Sequence, residues 1–397
     1  MLKPERIEQI KNRAEQAKHE ITNWRRELHQ HPQTSYEETY ISGVVAEKLE
    51  QFGIKTERGW AGTGVVGIIE GKQKSDKCIA LRADIDALDI TEENSFDYVS
   101  KYPGKMHACG HDGHTAMLLG AAKLLSEENN FQGKVMLIFQ PAEEGGGGAK
   151  VMIDEGLFTK HNPESVWGMH NWPGLPVGQF AMRDGAFLAS TNDFTIHVNG
   201  KGGHAAVPQY CKDPIVAASH IVAAAQSIVS REMNPNNPSL ISITTFNAGT
   251  AFNIIPDQAK LTGTIRALDD QVQSELVNSL KRIVAGAEEM FGLQIEFNLL
   301  ESAYPTLYNN VQETQFSYEL CSQLTSSENV TRQYEPTLGG EDFAFMLQKR
   351  PGCFLLIGNQ AAEKGNNMLH TSKYDFNDDI IPLGVTYWTA LAESKLS

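Results

Sequence analysis

Between residues 3 and 30 the apolar and aromatic side chains fall at Ile7, Ile10, Ala14, Ala17, Ile21, Trp24 and Leu28. Steps of three and four put them on one stripe of a long helix, which Pro32 brings to a stop. The pattern then shortens. GVVGIIEG (64–71), KCIAL (77–81), KVMLIFQ (134–140) and SVWGMH (165–170) are compact apolar runs that predict strands. HTAMLLGAAKLL (114–125) predicts a helix, and AKVMIDEGL a short one that stops at Gly156. Strands alternating with helices predict an α/β domain whose sheet is covered on both faces. Toward the C-terminus CFLLIG predicts another strand and IPLGVTYWTALAES a closing helix.

The middle of the chain follows a different rhythm. DFTIHVN alternates as a strand, and DPIVAASHIVAAAQSIVSRE is a helix with Asp213 as N-cap and Pro214 at its first position. LISITTF and KLTGTIRAL are strands, DDQVQSELVNSLKRIVAGAEEMF is a helix, and LQIEFNLL is a last strand. The order β-α-β-β-α-β is that of a ferredoxin-like unit. The expected division is a discontinuous catalytic domain, residues 1–187 and 303–397, with an insert at 188–302. The chain crosses between them near 186–192 and 300–305.

Length and composition agree with this picture. A chain of 397 residues is too long for one ordinary core, and 41% hydrophobic with 21% charged residues is ordered, globular composition. The net charge of −15 repels nucleic acid and anionic lipid, so neither is an expected partner. Five scattered cysteines with no C-x-x-C pair, a charged start MLKPERIEQIKNR and no long apolar run lead to the expectation of a cytoplasmic protein.

The candidate chemistry lies at strand ends, where open α/β sheets bind ligands. MHACGHDGHTA (106–116) holds three histidines, a cysteine and an aspartate. Cys109 and His111 can converge on one borderline metal, or be a buried thiol beside a helix-capping histidine. Asp112 either caps the following helix or holds a ligand histidine. His107 and His114 are assigned to hydrogen bonding and packing. Glu143 and Glu144 follow an apolar strand and precede four glycines. They form a solvated loop, or one binds a metal while the other takes a proton from the attacking water. His170, predicted to end its strand before an NWPG turn, and His370 are each ordinary loop histidines when taken alone. Cys109, His111, Glu144, His170 and His370 together have the number and chemistry of a two-metal site. In the insert, His204 sits among small residues in GKGGHAAVP. Asn253 and Arg266 lie in FNIIPD and TGTIRALD, where an arginine pairs with a structural acid or clamps a substrate carboxylate.

From RELHQHPQTSYEE to the last helix the chain resembles the metal-dependent aminoacylase/carboxypeptidase family of amidohydrolases. The branch is that of hippurate hydrolase, bacterial N-acyl-amino-acid amidohydrolases and plant auxin-conjugate hydrolases. RADIDALDI, MHACGHDGH, FQPAEEGGGGAKVMIDEGLF, GMHNWPGLPVG, GKGGHAAVP, GGEDFAFML and LHTSKYDFND carry the resemblance. It implies a mixed-sheet catalytic domain with two divalent metal ions, manganese or zinc before nickel or cobalt, and an inserted lid that also forms a homodimer. It makes Cys109, His111, Glu144, His170 and His370 the ligands and Glu143 the general base. His204 becomes the oxyanion-steadying lid histidine, and Asn253 and Arg266 substrate-carboxylate residues. Other branches carry His-x-Asp where this chain reads Asp84-Ile85-Asp86, which leaves Asp84 without an assigned role. The expected reaction is hydrolysis of an N-acyl or N-aroyl amino acid. The alternatives are a dipeptidase or carboxypeptidase with the same machinery, or a non-catalytic metal-binding protein.

Overall fold

The computed structural model describes residues 1–300, 303–362 and 364–397. The chain folds as two compact units. The first comprises Met1–Gly185, Tyr308–Glu335 and Asp342–Ser397, the second Ala186–Leu307 with Pro336–Glu341. The crossing expected at 300–305 includes residues 301 and 302, which lie outside the described residues.

The first unit is built on an eight-stranded sheet. Its order is Lys55–Trp60, Gly64–Glu70, Gln132–Gln140, Gln73–Asp84, Ser165–Pro176, Gly352–Gln360, Phe180–Ala181 and Val330–Thr331. The central strands, Gln132–Gln140 through Gly352–Gln360, run parallel, whereas the pairings of Gly64–Glu70 with both of its neighbours are antiparallel, so the sheet is mixed. Period-two alternation divides the central strands between two cores. Ile79, Leu81, Val135, Leu137, Trp167, Met169, Leu355 and Ile357 belong to one cluster with the helices Pro4–His29, His111–Glu128 and Ile381–Lys395. The alternate Ala80, Met136, Ile138, Val166, Phe354 and Leu356 are buried as well. Burial on both sides is why these strands read as continuous apolar runs.

Several elements differ from the sequence expectation. The strand that begins at Ser165 does not stop at His170 but runs to Pro176. Its parallel ladder with Gly352–Gln360 continues past NWPG, and a register shift between Gly358 and Gln360 falls where Pro173 cannot donate a ladder hydrogen bond. The helices Thr39–Gln51 and Val311–Leu324 were not anticipated.

The second unit has its own core. Its four-stranded antiparallel sheet has the order Ser239–Ala248, Gln258–Ala267, Ser190–Asn199, Gln294–Leu299. The helices Pro214–Ser227 and Asp270–Phe291 share one apolar cluster with it. Asp213 and Asp269 cap the two helices by accepting Ile215 N–H, and Gln271 N–H and Val272 N–H, respectively. No helix among the described residues is long and apolar enough to cross a membrane.

In the first unit the N-terminal helix is fastened by a buried charge. Arg25 is fully buried, with Nε 3.0 Å from Asp112 Oδ2, Nη2 2.9 Å from Asp375 Oδ1 and Nη1 3.5 Å from Asp378 Oδ1. Its guanidinium also lies over the rings of Tyr98 and Phe376. One cation thus ties the first helix to the start of His111–Glu128 and to the segment before the last helix. Replacing Arg25 with Met leaves buried carboxylates uncompensated and should cost about 3–5 kcal/mol of unfolding free energy. Urea denaturation measures this, and a loss below about 1 kcal/mol, the size of an exposed pair, would contradict it.

Candidate metal centre

Where the strands Gln73–Asp84 and Ser165–Pro176 part, a crevice opens. Their ladder ends at Arg82↔Gly168, two residues short of His170. His170 therefore has a strand neighbour on one side only, opposite Leu356. The loop before His111–Glu128 fills the space. Its Gly110 has φ 98°, and a Cβ there would come within 2.1 Å of Asn171 Oδ1 and 2.5 Å of Tyr374 Oη, so only glycine fits. Around that turn Cys109 Sγ approaches His170 Nε2 to 3.3 Å. Cys109, His111 and His170 offer donor atoms that all lie within 4.8 Å of one another.

A second group shares the same thiol. Cys109, Glu144 and His370 also offer atoms within 4.8 Å of one another. His370 Nε2 is 3.1 Å from Glu144 Oε1, which is 4.0 Å from His111 Nε2. His370 adopts a left-handed φ of 62° while its N–H donates to Ala108 O at 2.8 Å, tying the last loop to the cysteine. His111, Glu143 and Glu144 form a further such group. The structure thus gathers Cys109, His111, Glu143, Glu144, His170 and His370. His204, Asn253 and Arg266 lie in the second unit. There His204 is opposite Ile254 in a two-strand ladder, Ala205 N–H donates to Asn253 O at 3.0 Å, and Arg266 Nη2 lies 3.7 Å from Asp193 Oδ1.

The imidazoles are oriented from behind. His111 Nδ1 donates to Asp86 Oδ1 at 3.0 Å, and His170 Nδ1 donates to the backbone oxygen of Asn171 at 2.6 Å. Each leaves Nε2 for the crevice. Asp86 also accepts Glu144 N–H at 2.9 Å through Oδ2, so one carboxylate sets both a histidine and the glutamate. The carboxylate behind a candidate ligand is thus Asp86. Asp112, expected to cap the helix or hold such a histidine, makes no cap bond and instead meets His29 Nδ1 at 2.8 Å and Arg25. Asp86 was missed because its partner is 25 residues away.

Asp84 also has a role. It is fully buried and accepts Arg82 Nη1 at 2.7 Å and His114 Nδ1 at 2.6 Å. His114 Nε2 lies 2.7 Å from Asn171 Oδ1, and Asn171 Nδ2 donates to Tyr374 Oη at 2.6 Å. This chain of polar groups runs beneath the crevice and fixes its walls. His114 fits the expected hydrogen-bonding role. His107 fits the packing role alone: it is buried beside the His29 ring, neither of its ring nitrogens has a hydrogen-bond partner, and burial lowers its pKa to about 4.

The residues fit divalent cations. His111 Nε2 and Glu144 Oε1 are buried and accept or donate no hydrogen bond, an arrangement that is costly unless something positive sits between them. Burial, then the Glu144, Glu143 and Asp84 charges, push the Cys109 thiol well above its usual pKa, so a thiolate there requires a bound cation. Burial alone would lower His111, but Asp84 and Asp86 outweigh it and raise the pKa to about 10. The surroundings are strongly cation-attracting, and a mixed sulfur, nitrogen and oxygen donor set split into two groups makes a binuclear divalent-metal site.

The chain matches known proteins along nearly its whole length. It is 40% identical over 373 residues to the hippurate hydrolase of Campylobacter jejuni, covering 94% of this chain and 96% of that protein. It is 41% identical over 391 residues to thermostable carboxypeptidase 1 of Saccharolobus solfataricus, covering 97% and 98%. A Bacillus subtilis structure described as a dinuclear metal binding peptidase superposes with a TM-score of 0.81 at 32% identity, over 96% of this chain and 99% of that one. The model of peptidase family M20/M25/M40 matches residues 80–394, a span that holds every side chain of the crevice, and the chain belongs to that family.

Proposed function

We propose that the protein is a binuclear-metal amidohydrolase that cleaves N-acyl or N-aroyl amino acids to a carboxylic acid and a free amino acid. The observation that carries this reading is the pairing of Glu143 with a complete donor set. His111, Glu143 and Glu144 converge, and storing metal would not need the second carboxylate. Two bound cations, held by Cys109, His111, Glu144, His170 and His370, would supply Lewis acidity to the amide carbonyl and to the attacking water. Glu143 takes the proton from that water at a carboxylate oxygen and returns it to the leaving nitrogen. His204 donates a hydrogen bond to the developing oxyanion. Asn253 and Arg266 hold the substrate carboxylate. The long 3.7 Å approach of Arg266 to Asp193 supports a guanidinium with capacity for a further acid.

The second unit is read as a ferredoxin-like lid and dimerisation domain. Its strand-helix-strand-strand-helix-strand order supports the fold reading. A homodimer is supported by Ser239–Ala248, an edge strand bearing the exposed Phe246, and by the exposed Phe252 and Ile254 nearby in sequence. The second reading, a carboxypeptidase, is favoured by the name of the Saccharolobus relative. Parallel assays of N-acetyl, N-benzoyl and indole-acetyl amino acids against dipeptides decide between them. Faster turnover of the dipeptides would overturn the acyl-amino-acid reading.

Two outcomes test the division of labour. Glu143→Gln should keep both metal equivalents and lose roughly 10²–10⁴ in kcat, the worth of a general base. Glu144→Gln should instead lose metal. Metal analysis beside steady-state kinetics separates them, and near-normal turnover of Glu143→Gln would refute the base assignment.

The place of His204 is tested by mixing subunits. If it serves the partner's site, combining His204→Ala with Glu143→Gln puts both lesions in one site of a mixed dimer and leaves the other intact. Activity should then rise above either parent, toward about a quarter of wild type when half the dimers are mixed. Demonstrated exchange without such a rise would show that the histidine acts within its own chain.

A further inference from the structure

The segment Ser35-Tyr36-Glu37-Glu38 lies in the stretch RELHQHPQTSYEE where the family resemblance begins, yet it supplies neither a ligand nor the base. Three of its side chains nevertheless reach one turn. Ser35 Oγ lies 3.3 Å from the backbone oxygen of Glu144 and 3.3 Å from Asp86 Oδ2, and Tyr36 Oη donates to the backbone oxygen of Gly146 at 2.6 Å. Glu38 Oε1 accepts Ala142 N–H at 2.9 Å. Positions 142, 144 and 146 are thus each gripped through their backbone, and Glu143 sits between the first two.

Glu38 is the anchor of this grip. It lies at the start of Thr39–Gln51 and is fully buried. Besides Ala142 N–H, its Oε1 accepts Tyr36 N–H at 3.0 Å, and its Oε2 accepts the Thr63 hydroxyl at 2.6 Å. Tyr36 and Ala142, whose N–H groups it binds, both have left-handed backbones, with φ of 67° and 55°. Such a conformation is unfavourable for any residue with a Cβ and persists only where its surroundings enforce it. Burying a carboxylate is likewise costly unless its oxygens are satisfied. The two costs offset each other: the carboxylate is satisfied by the N–H groups that the unusual backbone turns toward it. Ala142 immediately precedes Glu143, so its backbone angles set where the Glu143 side chain starts.

We propose that Ser35–Glu38 is a clamp on the 142–146 turn, anchored by Glu38, and that Glu38 is a positioning residue for the general base. The proposal rests on the reading of Glu143 as that base. Geometry and charge can be separated at this one position. Glu38→Gln keeps an oxygen for both N–H groups, and its amide can donate to Thr63, whose hydroxyl then accepts. Glu38→Asp keeps the charge but withdraws the carboxylate by one methylene.

The test is steady-state kinetics with metal analysis on the full-length, metal-loaded protein. Glu38→Asp should lose about 10²-fold in kcat with KM within about threefold and two metals retained, the cost of displacing a catalytic group by about 1 Å. Glu38→Gln should lose less than about tenfold, because the positions are kept. A Gln variant worse than the Asp variant would overturn the clamp in favour of a role for the charge itself. So would an Asp variant within threefold of wild type, or one that loses metal in step with activity. Should the Asp variant not fold, Tyr36→Phe removes only the contact to Gly146. It should lower kcat about tenfold at unchanged KM, and an unaltered kcat would overturn the clamp. Glu143→Gln measured alongside distinguishes the two failures. Normal turnover there removes the base reading and the clamp with it, whereas a strong loss there with no effect at Glu38 removes the clamp alone.

Discussion

The constraint on which this structure turns is negative charge held out of water. Asp84, Asp86 and Glu143 are buried around one crevice, with Glu144 at its edge, and Asp112 is buried one residue past His111. Buried carboxylates are tolerable only when paired. Two arginines meet part of the demand. Arg82 pairs with Asp84 from within the strand Gln73–Asp84 and also reaches Asp342 at 3.1 Å. Arg25 meets Asp112 from the N-terminal helix. These pairs fix the floor and the back of the crevice. Two of the buried atoms without hydrogen bonds, His111 Nε2 and Glu144 Oε1, belong to the donor groups, so cation binding would complete the pairing that the protein leaves open there.

The fold serves that arrangement by letting distant segments arrive at one place. The ladder between the two central strands stops at Gly168, Gly110 allows the histidine loop to pass Asn171 without a clash, and Asp86 ties His111 to Glu144. Three of the donors are fixed from another element. His111 and Glu144 are held by Asp86 and His370 by the backbone of Ala108, which is how a site made from four separated stretches of chain keeps a defined geometry.

Much of this could be read from the sequence, for identifiable reasons. Pro4–His29 and Gln132–Gln140 carry strong periodicity or continuous apolar character, so both were predicted almost to their ends. The donors were legible because their residue types are unusual at strand ends. Other features were hidden. Lys55–Trp60, KTERGW, is an edge strand with no buried residue, so it shows no apolar pattern. Val311–Leu324 is mostly polar, with Thr314 and Ser317 among its buried residues, which blurs the stripe. The partners of His111 and Ala142, Asp86 and Glu38, are specified only by the fold, since 25 and 104 residues separate each from the group it holds. Asp112 was misread for the converse reason: proximity in sequence to a histidine suggested a partnership, while the fold turns it toward Arg25 and His29.

The central claim is that the crevice holds two divalent cations, with Cys109 among their ligands. The most direct measurement is a crystal structure of the metal-loaded protein with anomalous data collected at the metal's absorption edge. The account predicts two peaks per chain, both among the side chains of Cys109, His111, Glu144, His170 and His370, with Cys109 Sγ at bonding distance from metal, about 2.3 Å if the metal is zinc. A single fully occupied peak, or two peaks neither of which touches the sulfur, would contradict it.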